Sequence, residues 1–385
     1  MKKVYIPYST QNISNADIRA VARSLKSPWL TQGPAVASFE KAVARKVGAK
    51  YAVAVSSGTA ALHAAYFAAG ITKGDEVLVP AITFAGTGNA ALYLGAKPVF
   101  VDIELADGTM SISDAHKKIT KKTKAIVPVD YGGRPTDLGA FRALAKKHKL
   151  ILIEDGAQSF GASYSGTLVG TQADMTIFSF HPVKSITTGE GGIITTNSRA
   201  YNQALRLFRH HGISKDPHTF SRKGYGPWYQ EMQALGYNYR LTDIQAALGE
   251  SQLKRLDGFI AKRRAAAQRY DKLLRDISAL ILPPLDREGE QSSWHLYPIR
   301  LAPAIAHRRD AVLAALRKKG IGAQVHYLPV YLHLYYERLG YKKGLCPKAE
   351  EFAASEISIP LFPGITKEQQ TFIVRQLRSV LSRFS

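Results

Sequence analysis

Residues 175–192 read MTIFSFHPVKSITTGEGG, and this stretch indicates both a fold class and a reactive site. The apolar run MTIFSF is typical of a buried strand, and GGIITTN (191–197) predicts a second strand after the turn. Lys184 lies between an aromatic–proline segment and a threonine–glycine turn. A desolvated lysine can act as nucleophile or base, and the alternative is a structural lysine that reaches a loop carbonyl.

The chain before this stretch alternates short apolar runs with segments of helical period. The apolar runs are near-continuous and rich in β-branched residues, which is typical of strands covered by helices on both faces. They are YAVAV (51–55), EVLVP (76–80), KPVFVDI (97–103), KAIVPV (124–129) and LILIED (150–155). Helical segments at 34–47, 85–95 and 138–149 separate them. The pattern predicts an α/β fold with a mostly parallel sheet.

The C-terminal third predicts a smaller α/β domain. A helical region runs from 241 to about 276, and strands at 295–301 and 322–327 alternate with helices at 307–320 and 366–381. We therefore predict a large domain over residues 1–255 and a small domain over 256–385. Residues 216–236, rich in glycine, proline and aromatic residues, predict a long loop, a length that is often functional.

Composition limits the classes of partner. The net charge of +22 favours anionic partners in general. The basic residues are spread at helical spacing, which favours solvated faces over a nucleic-acid groove. Cys346 is the single cysteine, so an internal disulfide is excluded and a reducing, cytoplasmic location is expected. The uncharged run 51–71 is interrupted by polar residues, so we expect no membrane insertion. The histidines lack metal-ligand spacing, and we predict no metal site.

Two further segments could carry chemistry. SSGTAAL (56–62) follows a strand and opens a helix, which suits either an anion site or an ordinary N-cap. IEDGAQSFGA (153–162) places Asp155 at a strand end, where it could pair with a cationic ring nitrogen or cap a helix. An anion-binding turn, then a strand-end aspartate, then a lysine about 30 residues later is the set of groups that pyridoxal 5'-phosphate (PLP) enzymes require.

With these segments in place, the chain resembles the DegT/DnrJ/EryC1/StrS family of sugar aminotransferases over essentially its whole length. The resemblance implies an aspartate-aminotransferase-like α/β fold (PLP fold type I), PLP as cofactor and a homodimer with shared active sites. Its motifs are LTQGP (30–34), SSGTAALHAA (56–65), TFAGTGNAALYLGAKPVFVDI (83–103), EDGAQSFGA (154–162), FSFHPVKSITTGEGG (178–192), GYNYRLTDIQAALGESQL (236–253) and AQVHY (323–327).

The resemblance also implies roles for individual residues. Lys184 would bind the cofactor covalently and then transfer protons, while Asp155 would pair with the pyridine nitrogen. Phe84 would lie against the ring face, and Gln158 would contact the ring substituents. The phosphate would be held by Gly58, Thr59 and Ser179, and by Asn238 from the neighbouring subunit.

A narrower resemblance is to family members that aminate C4 of a UDP-4-keto-6-deoxy-N-acetylhexosamine with L-glutamate, forming UDP-4-amino-4,6-dideoxy-N-acetyl-β-L-altrosamine, a pseudaminic acid precursor, and 2-oxoglutarate. The motif pairing of LTQG with SSWHLYPI (292–299) and GAQVHYLPVY (322–331) carries it. It implies that the substrate contacts Tyr8, Trp29, Leu30, Thr31, Val325, His326, Tyr327 and Leu328. Two features depart from these relatives: they have lysine where Leu328 stands, and their equivalent of loop 216–236 is shorter.

Several alternatives remain open at this stage. Other members act on GDP-4-keto-6-deoxymannose, UDP-4-keto-arabinose or 3-keto sugars. Dehydratases of the family have histidine in place of the cofactor-binding lysine, and Lys184 argues against that activity. A DNA-binding regulator built on the same fold would carry an added helix-turn-helix, and no such segment is evident.

Overall fold

The computed structural model describes residues 5–383. The strands within that range are β1 Tyr51–Val55, β2 Glu76–Pro80, β3 Lys97–Val101, β4 Thr123–Ile126, β5 Ile151–Asp155, β6 Ser163–Tyr164, β7 Thr167–Leu168, β8 Met175–Ser179, β9 Gly192–Thr196, β10 Ile213–Ser214, β11 Glu231–Met232, β12 Leu280–Ile281, β13 Tyr297–Leu301 and β14 Glu356–Ile359. The helices are α1 Asn15–Leu25, α2 Pro34–Val47, α3 Gly58–Ala68, α4 Ala85–Tyr93, α5 Ile112–Lys118, α6 Leu138–His148, α7 Arg199–Phe208, α8 Asp243–Leu253, α9 Leu256–Leu274, α10 Arg309–Lys318, α11 Leu334–Arg338, α12 Pro347–Ser355 and α13 Lys367–Leu381.

A seven-stranded sheet with the order β1-β9-β8-β5-β4-β2-β3 forms the centre of the larger part. All neighbouring strands from β8 to β3 are parallel, whereas β9 is antiparallel to both β1 and β8. The predicted α/β fold with a mostly parallel sheet is therefore confirmed. The two strands predicted around Lys184 are β8 and β9, which pair directly through Ser179 and Gly192.

The uncharged run 51–71 forms strand β1 and helix α3. Every residue of α3 from Ala60 to Tyr66 is buried, because the helix packs against β8, β9, α4 and α7. Alanine-rich composition suits this position, since small side chains let the helix approach its neighbours closely. In the part of the chain that the structure describes, no helix is long and apolar enough to cross a membrane.

A three-stranded antiparallel sheet, β12-β13-β14, forms the centre of the smaller part. The strand predicted at 322–327 is wrong. Unpredicted β14 occupies the position beside β13, and residues 322–327 retain only an isolated bridge from Gln324 to Ser358. The backbone of His326 is held by side chains instead: its N–H donates to Glu356 (2.7 Å) and its carbonyl accepts from Tyr131 (2.5 Å).

The buried hydrophobic residues of the C-terminal third are divided between the core of the small sheet and the core of the large sheet. One cluster joins Ile6 to buried residues between 266 and 381 around the small sheet. Buried residues between 330 and 353 instead join the cluster of the large sheet. The division at 255/256, which falls between α8 and α9, remains a proposal, and residues 1–4 and 384–385 of the two predicted domains lie outside the described residues.

The predicted loop 216–236 lacks long regular structure and contains only the two-residue strand β11 and a 3-10 turn at Pro217–Thr219. Its aromatic residues cluster on one another: the rings of Tyr225 and Tyr229 stack with centroids 4.2 Å apart. Trp228 beside them is 74% exposed. The loop therefore presents an aromatic surface to solvent in a single chain.

Candidate active site

The candidate residues meet at one edge of the large sheet because each follows a strand that points to that edge. Gly58 comes after β1, Phe84 after β2, Asp155 ends β5, and Ser179 ends β8 just before Lys184. These strands run parallel to one another, so their carboxyl ends lie at the same edge of the sheet. Ligands of open α/β sheets bind at this edge.

The turn between β1 and α3 forms a narrow cradle for an anion. Ser57 caps the helix by accepting the N–H of Ala60 (3.0 Å), and Gly58 and Thr59 occupy the first turn, where N–H groups have no intrahelical acceptor. A Cβ at Gly58 would lie 2.9 Å from the Cβ of Ser179, so only glycine allows this approach. The helix N-terminus, two N–H groups and a serine hydroxyl suit a phosphate.

Asp155 is buried and held by hydrogen bonds to both carboxyl oxygens. Thr87 donates to Oδ2 (2.8 Å) and the N–H of Ala157 donates to Oδ1 (3.2 Å). Burial raises the pKa of Asp155, while the bond from Thr87 and the charge of Lys184 oppose that rise. A proton-bearing cationic partner would stabilise the charged form of this buried carboxyl, whose oxygens still have free acceptor sites.

Gln158 and Phe84 are connected through Tyr327. Gln158 accepts the N–H of Gly132 (2.8 Å) and donates to the hydroxyl of Tyr327 (3.2 Å). The ring of Tyr327 lies edge-on to that of Phe84, with centroids 6.4 Å apart. Phe84 is 62% exposed, which leaves a large flat apolar surface at the strand ends. An aromatic ring face of this kind suits a planar heterocycle.

Lys184 lies in an environment that favours its neutral form. Burial lowers the pKa of Lys184 from 10.5 to about 8; the charge of Asp155 opposes this change and that of Arg263 adds to it. The backbone N–H of Lys184 donates to the carbonyl of His181 (2.9 Å), which closes a tight turn. A lysine with a depressed pKa supplies more neutral amine at physiological pH, which a nucleophile requires.

His326 is the one histidine predicted in the site, and it lies beside Tyr8. The two rings are 5.6 Å apart, and Nδ1 of His326 is 2.9 Å from Oγ of Ser358. Burial, together with the nearby charge of Lys184, lowers the pKa of His326 to about 3, so the ring is neutral at neutral pH. Tyr8, His326 and Tyr327 thus form one wall beside Lys184.

The other predicted residues are not brought into this group within one chain. Asn238 is exposed and pairs by an isolated bridge with His210. Residues 29–31 are exposed, and the segment is fixed at the start of α8, where Leu30 accepts the N–H of Asp243 (3.0 Å). Val325 and Leu328 line a separate cavity of about 470 Å³ that also contains Arg309, Lys343 and Glu350. The functions of these residues remain predictions.

Sequence reasoning missed three groups around the site. Thr87 lies in the predicted helical segment 85–95, and its hydroxyl donates to Asp155. Asp130 and Glu154 form a fully buried carboxyl pair behind Asp155, and burial raises the pKa of both, that of Asp130 to about 7. Arg263 lies in the predicted helical region 241–276, and it is 1% exposed. Its position in the apolar stripe of α9 was the available signal.

These features fit PLP. The Gly58 cradle matches a phosphate, the exposed ring of Phe84 matches a flat heterocycle, and buried Asp155 matches a protonated ring nitrogen. Lys184 would supply an amine for covalent attachment. Among residues 5–383, no group of three or more His, Cys, Asp or Glu side chains is arranged to hold a metal ion.

The fold and site together define a transaminase. The chain belongs to the DegT/DnrJ/EryC1/StrS aminotransferase family, whose model matches residues 11–378. It is 39% identical over 381 residues to the UDP-4-amino-4,6-dideoxy-N-acetyl-β-L-altrosamine transaminase of Campylobacter jejuni, covering 98% of each chain. The structure of PseC from Helicobacter pylori, an aminotransferase involved in the biosynthesis of pseudaminic acid, superposes with a TM-score of 0.91 at 33% identity, covering 98% of this chain and all of that one.

A third relative bears on the cofactor. The PLP form of Spr1654 from Streptococcus pneumoniae, a putative sugar aminotransferase, superposes with a TM-score of 0.92 at 30% identity, covering 98% of this chain and 99% of that one. The predicted family and the aminotransferase fold are thereby confirmed. The chain is a sugar aminotransferase of a family that includes PLP-bound structures.

Proposed function

We propose that this protein is a PLP-dependent transaminase that moves the amino group of L-glutamate to C4 of a UDP-4-keto-6-deoxy-N-acetylhexosamine. The observation that carries the proposal is the 39% identity, over 98% of both chains, to a transaminase named for UDP-4-amino-4,6-dideoxy-N-acetyl-β-L-altrosamine. The structural likeness to PseC supports the same substrate class. PLP, when bound, would supply an electron sink that lets an amino group be accepted from one substrate and given to the next.

The residues of the site have distinct tasks in this proposal. Gly58, Thr59 and Ser179 hold the phosphate through N–H and hydroxyl groups. Asp155 keeps a proton on the ring nitrogen, because Thr87 and burial fix its carboxyl in place.

Protons at the reacting carbon are moved by Lys184. Its amine, with a pKa of about 8, exists in both protonation states near neutral pH, so it can accept a proton and return it. The neighbouring wall of Tyr8, His326 and Tyr327 would exclude water and contact the sugar. His326 enters as a neutral group, because its pKa of about 3 keeps it uncharged at neutral pH.

The active unit in this proposal is a homodimer in the cytoplasm. Asn238 and the loop residues Tyr225 and Trp228 are exposed in a single chain, which leaves them available to a second copy. Asn238 would reach the phosphate of the neighbouring site. Cys346, the single cysteine, is a buried free thiol, in agreement with a reducing compartment.

The substrate is tested by glutamate-dependent amination of a panel of UDP- and GDP-linked 4-keto sugars, UDP-4-keto-arabinose and 3-keto sugars. Aminated sugar and 2-oxoglutarate are measured together, and Lys184→Ala is the inactive control. We expect the highest kcat/KM with the UDP-4-keto-6-deoxy-N-acetylhexosamine. If only GDP sugars, UDP-4-keto-arabinose or 3-keto sugars react, the substrate assignment is wrong while the transaminase assignment stands.

A further inference from the structure

Arg263 is a buried guanidinium that forms no ion pair among residues 5–383. Its side chain is 1% exposed, and its donors meet only backbone carbonyls. Nη1 donates to Trp294 (3.3 Å), His295 (3.2 Å) and Leu361 (3.0 Å), and Nη2 donates to Val183 (3.2 Å). Nε has no hydrogen-bond partner among the described residues, and the carbonyl oxygens that accept from Nη1 and Nη2 do not neutralise the charge, so an unpaired cation remains inside the protein.

The acceptors of Arg263 lie in two parts of the molecule. Trp294, His295 and Leu361 flank the small sheet, whereas Val183 directly precedes Lys184. Arg263 itself lies on α9, in the predicted small domain. One side chain therefore connects the turn that bears Lys184, here called the lysine loop (residues 181–188), to the segments around the small sheet.

Few charged groups other than Arg263 influence the pKa of Lys184. The groups that influence Lys184 are Asp155 and Arg263, and Lys184 in turn influences His181, His295 and His326. Burial lowers the pKa values of all three histidines, most strongly those of His295 and His326, so these two are neutral at neutral pH. Arg263 is then the permanent positive charge that opposes Asp155 at the lysine amine.

We propose that Arg263 is a positioning residue for Lys184, which fixes the lysine loop through the carbonyl of Val183 and keeps an unpaired positive charge beside the amine. The inference deepens the proposed function, since it rests on Lys184 being the site of covalent attachment. By destabilising the ammonium form, Arg263 increases the fraction of neutral amine that is ready to react.

The charge effect is tested on the full-length protein freed of cofactor, by acylation of Lys184 as a function of pH. Trace labelling with acetic anhydride from about pH 6 to about pH 11, with the Lys184 peptide quantified by mass spectrometry, gives the pKa of Lys184 directly. We expect a pKa of about 8 for the unmodified chain. In Arg263→Met we expect that pKa to rise, because a neighbouring positive charge is lost.

Arg264 offers a matched control on the same helix. It is partly buried and donates to the carbonyl of Ser292 (3.1 Å) and to Gln291 (2.9 Å), with no bond to the lysine loop. Arg264→Met is expected to leave the pKa of Lys184 unchanged. If Arg263→Met is folded and the pKa of Lys184 also stays unchanged, the charge effect is contradicted.

Arg263→Lys separates the charge from the fixing of the loop. It retains the positive charge, but an ammonium has three donors and cannot reproduce the planar fork that reaches four carbonyls. We expect the pKa of Lys184 to stay closer to the unmodified value than in Arg263→Met, and hydrogen exchange of the lysine loop to increase. Unchanged exchange of the loop in Arg263→Lys contradicts the positioning function, and this comparison decides the matter if Arg263→Met fails to fold.

These measurements need neither cofactor nor sugar. Failure of the amination panel with the expected Lys184 pKa values would therefore count against the proposed function alone. An unchanged Lys184 pKa and unchanged loop exchange in an enzyme that aminates sugars would count against Arg263 alone.

Discussion

At the scale of single residues, the site depends on a buried carboxyl that has no cation bonded to it among the described residues. Asp155 accepts bonds from Thr87 and Ala157, and its pKa is raised by burial. Burial of the Asp155 carboxylate is unfavourable, and binding of a cationic, proton-bearing partner would offset that cost. In the proposed function, Asp155 would therefore link the stability of the protein to cofactor binding.

Asp155→Asn is expected to lower kcat by about a hundredfold or more, because an amide cannot hold a proton on the ring nitrogen as a carboxylate does. The measurement is the rate of the glutamate half-reaction in a stopped-flow spectrometer. Asp137→Asn, at an exposed residue that caps α6, is the control and should retain the normal rate. A half-reaction of normal rate in Asp155→Asn would contradict the function given to Asp155.

Gly58→Ala is expected to weaken PLP binding by about tenfold, because its new Cβ would lie 2.9 Å from that of Ser179 and overpacking typically costs about 1–3 kcal/mol. Equilibrium titration with PLP measures the effect. Gly258→Ala is the matched control, since no atom lies within 4 Å of a Cβ at that helical position. Equal PLP affinity in the two variants would show that the β1–α3 turn does not hold the phosphate.

At the scale of elements, strand β14 connects the small sheet to the wall formed by Tyr8, His326 and Tyr327. Glu356 on β14 accepts from the N–H of His326 (2.7 Å) and from Ser358 (2.5 Å), and Ser358 also contacts Nδ1 of His326. Burial raises the pKa of Glu356 from 4.5 to about 8, although these bonds oppose the change. A protonated Glu356 leaves the Ser358 hydroxyl free to donate to the neutral imidazole.

This raised pKa predicts a pH dependence of stability. The folded state holds a proton on Glu356 that the unfolded state releases above about pH 4.5, so the contribution of this proton is complete at lower pH and is lost as pH rises towards about 8. Glu356→Gln mimics the protonated form, and the fall in unfolding free energy from about pH 5 to about pH 8 should shrink by about 1–2 kcal/mol. Glu351→Gln, at an exposed position of α12, is the control. An identical pH slope in Glu356→Gln, measured by denaturant unfolding, would contradict this prediction.

Element prediction from the sequence succeeded where local pattern decides the structure. The strands β1, β2, β5 and β8 are continuous apolar runs, and each carries its site residue directly after or at its end, so the edge at which these residues meet followed from strand direction. The four-residue strand β14 was missed because its pairing with β13 is long-range. Residues 322–327 do not form the predicted strand for the same reason, because β14 pairs with β13 instead.

The sequence did not predict that Arg263 is buried, because a charged residue in this sequence context is usually exposed. Arg263 follows a lysine and precedes another arginine, which is typical of a solvated helix face. Only its spacing from the buried residues Phe259, Ile260 and Tyr270 places it in the core stripe. Contacts such as that of Arg263 with Val183 join residues 80 positions apart and leave no local signal.

At the scale of the whole molecule, the proposed function requires a homodimer in which each subunit contributes to the site of the other. Asn238 is exposed, although its neighbour Tyr239 accepts the N–H of Ser56 (2.9 Å) just before the phosphate turn. The proposal assigns Asn238 to the site of the other subunit. Mixed dimers distinguish this arrangement from one in which Asn238 serves its own chain.

Lys184→Ala and Asn238→Ala are each expected to lose most activity alone, whereas dimers refolded from a mixture of the two should regain a part of it. In a mixed dimer with shared sites, one site carries both substitutions and the other carries neither. Tagged purification of the mixed species followed by a glutamate-dependent assay measures the recovery. Mixed dimers that stay as inactive as Lys184→Ala would show that Asn238 does not act across subunits.

The central claim, that Lys184 is the covalent attachment point of PLP in a sugar aminotransferase, is tested most directly by absorbance spectroscopy. The purified protein mixed with PLP should show the long-wavelength band of lysine-bound cofactor, and borohydride treatment should fix the cofactor to the peptide that contains Lys184. Lys184→Ala should show neither result. Absence of the band in the unmodified protein with added PLP, or an undiminished band in Lys184→Ala, would contradict the account.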